Sequence, residues 1–175
     1  KPFKKLLKRE VTMEDIAKLP EIKITGLKAL AMMVTKIPSK LLIDILATEK
    51  DKKVRITIYN IIEDASMGVY QDLFYPILQF FYNREKQEAL CAFKALVVTG
   101  KFPAYTLLKM VRNNYPTLMP LINSEISALS KLSFFIIQDI ALNKEQYLNS
   151  NFEVNRACVL GMIKKRPLTF SKLKK

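Results

Sequence analysis

Apolar residues in this chain recur at three- and four-residue steps almost from end to end, the spacing of one face of an α-helix. From Ile24 to Ile37 the series is Leu27, Leu30, Ala31, Val34 and Ile37. From Val54 to Ala65 it is Ile58, Ile61, Ile62 and Ala65. That stretch reads VRITIYNII, and its β-branched residues make a strand the local competitor. Its i, i+3, i+4, i+7 spacing and its helical neighbours decide for helix. Leu73 to Tyr82 is apolar nearly all round, as expected of a segment buried between neighbours. Glu88 to Thr99 stops at Gly100, a natural helix C-terminus. Ala104 to Asn114 follows. Ser124 to Leu142 reads as the longest helix, with Ser124 and Ser127 as N-cap candidates. Glu153 to Lys165 closes the set before Pro167. No strand pattern survives, and only 4 glycines are available for the turns of a sandwich or barrel. The expected class is all-α.

The helices also repeat. With Pro76 placed on Pro120, about 44 residues on, Ile77 and Leu78 fall on Leu121 and Ile122, and Leu90, Phe93, Leu96 and Val97 fall on Phe134, Ile137, Ile140 and Ala141. Stepping back 35 residues, Ile58, Ile61 and Ile62 fall on Phe93, Leu96 and Val97. The unit is a short helix begun by proline, a turn, and a long apolar helix. Its length is that of an armadillo or HEAT repeat, about 40–47 residues. Such units expose an apolar face that only a stacked neighbour covers. The sequence therefore predicts an armadillo/HEAT-like right-handed superhelix of about three to four repeats. It would occupy residues 13–166, between a basic extension at 1–12 and a basic tail at 167–175. A compact, non-repeating bundle is the competitor.

Composition removes much chemistry. The 175 residues contain no His and no Trp. A Ser-His-Asp or Cys-His hydrolase, a His metal site and His-based proton transfer are thereby excluded within this chain. The carboxylate pairs Glu63–Asp64 and Glu85–Glu88 read as solvated helix faces. Gly26, Gly68, Gly100 and Gly161 are isolated, so no phosphate loop is formed. Phe74, Tyr75, Phe80, Phe81 and Tyr82 read as core at that density rather than as a base-stacking platform. Neither an enzyme nor a cofactor is expected. Cys91 and Cys158 are the 2 cysteines, each in an apolar stretch, and point to a reducing compartment, cytoplasmic or nuclear. No apolar run approaches the roughly 18 residues of a membrane span, so no membrane partner is expected. The chain opens on Lys1, as a segment of a longer protein would.

Charge is concentrated at the ends. Lys and Arg total 29 against 16 Asp and Glu, a net +13. Residues 1–55 hold 14 cations and 7 anions, residues 56–160 hold 9 and 9, and residues 161–175 hold 6 and 0. A basic end binds phosphate or anionic surfaces, or simply keeps a protein soluble. Lys4, Lys5 and Lys8 are the N-terminal candidates for nucleic-acid contact. If the long helices line a groove, its candidate cations are Arg55, Lys94, Lys101, Lys131 and Lys144. They are few and interspersed with acids, so the groove alone would hold nucleic acid weakly.

The stretch YQDLFYPILQFF (70–81) resembles the LYPFL segment of the "required for cell differentiation" family, the armadillo-repeat subunit of the CCR-NOT messenger-RNA deadenylation complex. EALCAFKALVVTGK (88–101) is similar to the family's next helix, ending in GALVK. SEISALSKLSFFIIQDIALNKEQYLNSNFEVNRACVLGMI (124–163) is similar to its run of a helix ending FILQKILLDD, a Tyr, a Tyr-Glu-Arg-Phe motif and a further helix. Ser130-Lys131, Ile136 to Ile140, Tyr147 and Phe152-Glu153 sit in matching places. The resemblance spans about residues 24–165, and over 24–69 it lies in helix order and length.

The resemblance implies a non-enzymatic adaptor. It would dock on the NOT scaffold protein, offer surfaces to partner peptides, some of them inserting Trp, and have RNA or DNA as further ligands. A homodimer remains open. By position, the implied partner-binding residues are Leu132, Tyr147, Phe152 and Val154, with plain core as the competing reading of Leu132. Phe152 and Val154 replace the Tyr and Arg of the family motif, removing a hydroxyl and a guanidinium and so weakening the case for Trp-peptide binding. The family's domain runs on past the position of Lys165, so either this sequence stops early or this member is reduced at its C-terminus. The alternative reading is an unrelated HEAT-like module that binds nucleic acid through its basic ends.

Overall fold

The computed structural model of the chain describes residues 12–128 and 130–148. Among these residues it is helical throughout: eight α-helices, two 3-10 turns and no strand. The helices are α1 (Met13–Met33), α2 (Ser39–Thr48), α3 (Lys52–Asp64), α4 (Phe74–Phe81), α5 (Lys86–Thr99), α6 (Ala104–Asn114), α7 (Met119–Ser127) and α8 (Lys131–Leu148). Packing groups the chain into two compact units, Lys1–Ile58 and Tyr59–Lys175.

In the first unit, α1 begins well before the Ile24 expected from apolar spacing. A capping box explains the early start. The Thr12 hydroxyl accepts the Asp15 amide at 3.2 Å, and the Asp15 carboxylate accepts the Thr12 amide at 3.0 Å. Two amides that the first helical turn cannot pair are thereby satisfied. Met13, Ile16, Leu19 and Ile22 in this stretch are exposed, so the early start rests on the cap rather than on burial. Leu27, Ile37, Leu42, Leu46, Val54 and Ile58 form the buried set. Lys23 on α1 meets Glu49 after α2 at 2.6 Å, and this hydrogen bond holds the Glu49 carboxyl below its usual range.

The second unit contains a duplication of element order. A 3-10 turn (Gln71–Leu73), a short helix (α4) and a long helix (α5) are followed 45 residues later by a 3-10 turn (Pro116–Leu118), a short helix (α7) and a long helix (α8). The burial pattern repeats with it. Leu73, Ile77 and Phe81 are at most 2% exposed, and so are Leu118, Ile122 and Ile126. These triples step by four, one face of a helix. The short helices therefore align at 45 residues, with Ile77 on Ile122, rather than at the 44 read from the prolines. One residue is about 100° of helix rotation, which decides whether a side chain meets core or solvent. In the long helices the 44-residue step keeps Leu96 and Ile140 both buried, but it sets buried Leu90 on Phe134, which is 42% exposed.

The segment read as one helix from Ser124 to Leu142 is broken. Helix α7 ends at Ser127 and α8 begins at Lys131. Serines explain the break. Ser130 Oγ donates to the Glu125 carbonyl at 3.0 Å and Ser133 Oγ to the Ile126 carbonyl at 3.0 Å. Such side-chain bonds give the backbone an alternative to continuing the helix. Ser130 O also accepts the Ser133 amide at 2.9 Å, opening α8. The helix expected over Glu153–Lys165 lies outside the described residues.

Candidate partner-binding surface

Three places in the second unit gather polar groups. The first is buried. Glu88 on α5 is 1% exposed, with Arg84 Nε 3.0 Å from its Oε2 and the Tyr59 hydroxyl donating at 3.5 Å. Arg84 Nε makes the ion pair without hydrogen-bond alignment, so the attraction is Coulombic. Arg84 also lies over the Phe80 ring, 5.3 Å from its centroid, and its carbonyl accepts the Tyr115 hydroxyl at 2.8 Å. This cluster is a brace inside the fold. The Glu85–Glu88 pair expected to be solvated is thus half wrong: long-range packing encloses Glu88.

The second place joins α3, α5, α7 and α8. Lys94 Nζ lies 3.4 Å from Glu125, and Lys131 Nζ lies 4.0 Å from Asp64 and donates to the Glu63 carbonyl. Burial pushes the Glu63 carboxyl above its usual range, opposed by Lys94 and Lys131. Burial also pushes the half-buried Cys91 thiol up, keeping it protonated and a poor nucleophile. Two of the expected groove cations are thus brought together, and three carboxylates come with them. The patch holds no surplus positive charge for a phosphate backbone.

The third place is a hollow of about 270 Å³ between the turn after α5 and α8. Val97, Phe102 and Phe135 line it, with Met67 and Leu142, 45% and 77% exposed, among its lining residues. Gly100 shapes the turn. Its φ is +69°, which a residue with a Cβ adopts at a cost, and a Cβ there would come within 3.1 Å of Met67 Cγ. Asp139 on α8, 8% exposed, accepts the Tyr105 amide at 3.0 Å and so caps α6 from another helix. Lys101 borders the hollow, exposed, with Nζ 6.0 Å from the Tyr75 ring centre.

The remaining candidates fall as follows. Leu132 is 2% exposed. Its side chain is packed in the core rather than presented at the surface; helical spacing alone does not distinguish the two faces of α8. Arg55 is 8% exposed, and its guanidinium donates to the Glu49 carbonyl at 2.8 Å, tying the α2–α3 turn rather than facing a groove. Lys144 and Tyr147 fall on α8. Phe152, Val154, Lys4, Lys5 and Lys8 lie outside the described residues. Asp139, Glu125 and Leu142 were not singled out in the sequence, since their partners are distant along the chain and no local spacing marks them.

Among the described residues no group of three or more Cys, Asp or Glu is placed to hold a metal ion, and no helix is long and apolar enough to cross a membrane. No family model, curated protein or solved structure matches the chain.

Proposed function

We propose that this chain is a non-enzymatic helical-repeat adaptor of the armadillo type, similar to the "required for cell differentiation" subunit of the CCR-NOT complex, and that it acts in messenger-RNA decay in the cytoplasm or nucleus. The observation that carries the reading is the duplicated order of 3-10 turn, short helix and long helix, with matching buried triples 45 residues apart. Stacked units of this kind offer extended surfaces for partner chains. The pairing of Lys94 and Lys131 with acids weighs toward a protein partner over a phosphate backbone on that face. With Leu132 buried, the partner surface shifts to exposed apolar groups elsewhere on α8, such as Phe134, 42% exposed, and Leu142.

The test is a nuclease-treated pull-down from native lysate at about 0.5 M salt, where exposed charge pairs are screened beyond a few ångströms. Recovery of the NOT scaffold and deadenylases by mass spectrometry is the expected result. Their absence, with nucleic acid retained at low salt only, would replace the adaptor with a module that binds nucleic acid through its basic ends.

A further inference from the structure

The hollow beside α8 has the features of a site for one side chain. Its volume of about 270 Å³ exceeds the roughly 150 Å³ of a cavity that takes up benzene, so one large apolar group fits. Phe102 and Phe135 supply aromatic wall, and Leu142 supplies apolar surface that this fold leaves 77% exposed. Apolar surface set in a concavity gains most from being covered.

Charge selects the occupant. Lys101 is the cation beside the hollow, while the Asp139 carboxylate is engaged by the Tyr105 amide. The chain's own ends are poor candidates. Residues 1–11 carry 5 cations and 1 anion, residues 149–175 carry 7 and 1, and Lys101 repels both. A net charge of +13 draws acidic partners to the protein as a whole. We propose that this hollow docks an acidic linear peptide, taking one large apolar side chain against Phe135 and Leu142, with a neighbouring carboxylate of the peptide on Lys101. The proposal rests on the adaptor reading and names the chemistry of one partner.

Fluorescence anisotropy of the full chain with three labelled nonapeptides tests it. One peptide has a central Phe flanked by Glu, the second has Ala in place of Phe, and the third has Lys in place of Glu. The Glu-flanked Phe peptide should bind at least about tenfold more tightly than the Ala peptide, as burial of an aromatic ring predicts. Leu142→Glu should erase that advantage, and Lys101→Glu should transfer the preference to the Lys-flanked peptide. Equal affinity for the Phe and Ala peptides, no binding, or a preference untouched by Leu142→Glu would overturn the proposal. Should circular dichroism show that Leu142→Glu costs helicity, Met67→Glu, at another half-exposed residue lining the hollow, is read in the same way. These peptides need no scaffold protein. Peptide docking can therefore survive a failed pull-down, and the adaptor reading can survive a failed titration.

Discussion

Asp139 Oδ2 accepts the backbone amide of Tyr105 at 3.0 Å, across 34 residues of sequence. A carboxylate on the second long helix thereby serves as N-cap for α6, whose own preceding residue, Pro103, has no capping side chain. The contact makes the start of α6 depend on the placement of α8.

Asp139→Ala should therefore destabilise the protein by about 1 kcal/mol, the usual worth of an N-cap. For a chain of this size that lowers the melting temperature by about 2–4 °C. Thermal unfolding followed at 222 nm reads it directly, and an unchanged midpoint would show that the cap contributes nothing.

Two glycines should respond with opposite sign. Gly100→Ala forces a Cβ into the left-handed region and toward Met67, at a cost of about 1–2 kcal/mol. Gly26→Ala, inside α1 with nothing within 4 Å of the added carbon, should stabilise by about 0.5–1 kcal/mol. Urea midpoints of the two variants, measured side by side, should bracket that of the parent.

Glu88→Ala removes the buried carboxylate and leaves Arg84 and the Tyr59 hydroxyl facing its space. Breaking a fully buried pair costs about 3–5 kcal/mol; Arg84 keeps 19% side-chain exposure, so about 2 kcal/mol is expected here. Glu88→Gln, which keeps an acceptor for the Tyr59 hydroxyl, should lose less. Equal losses from the two variants would mean that packing, not the polar brace, is at stake.

Glu63 gives stability a pH dependence of definite sign. Its folded carboxyl titrates above the ordinary value, because burial penalises the charge more than Lys94 and Lys131 relieve it. The protonated form is favoured by folding. That contribution is full below the unfolded value near 4.5 and is lost as pH rises through the folded value. Glu63→Gln should match the parent near pH 4 and be more stable at pH 7, as chemical denaturation at the two pH values will show. A variant less stable at pH 7 would reverse the assignment and make the lysines dominant.

Lys94→Ala should leave nucleic-acid affinity within about twofold, because its charge is already met by Glu125 and one neutralised cation releases no counterions. Filter binding at about 0.1 M salt with single-stranded RNA checks this. The triple change of Lys4, Lys5 and Lys8 to Glu is the informative contrast. If Lys94→Ala weakens binding as much as the triple change, the paired groove is an RNA surface after all.

Helical periodicity was enough to place α6 residue for residue and to find α3, α5 and the duplication, because each signal repeats within a few turns. Two boundaries escaped it. The start of α1 rests on the Thr12–Asp15 exchange, with exposed apolar residues in between, and the break after Ser127 rests on serine hydroxyls returning to carbonyls. The site was less legible. Lys94 and Lys131 stand close to acids that lie 31 and 67 residues away along the chain, on other helices. Leu132 reads identically as core or contact until α8 is docked. Only the packed helices reveal which side of such a residue faces water.

The 45-residue duplication also bears on how the chain acquires its structure. Each long helix of the second unit packs on the short helix that precedes it, and α5 meets α8 from the next repeat. Such short loop closures favour rapid folding, in microseconds to milliseconds for helical domains. On a ribosome, the turn, α4 and α5 would leave the exit tunnel and pair before the 3-10 turn ahead of α7 had left it. The first copy of the turn, short helix and long helix is then a ready template for the second, and the face of α5 that α8 covers stays open to chaperones until α8 itself has emerged.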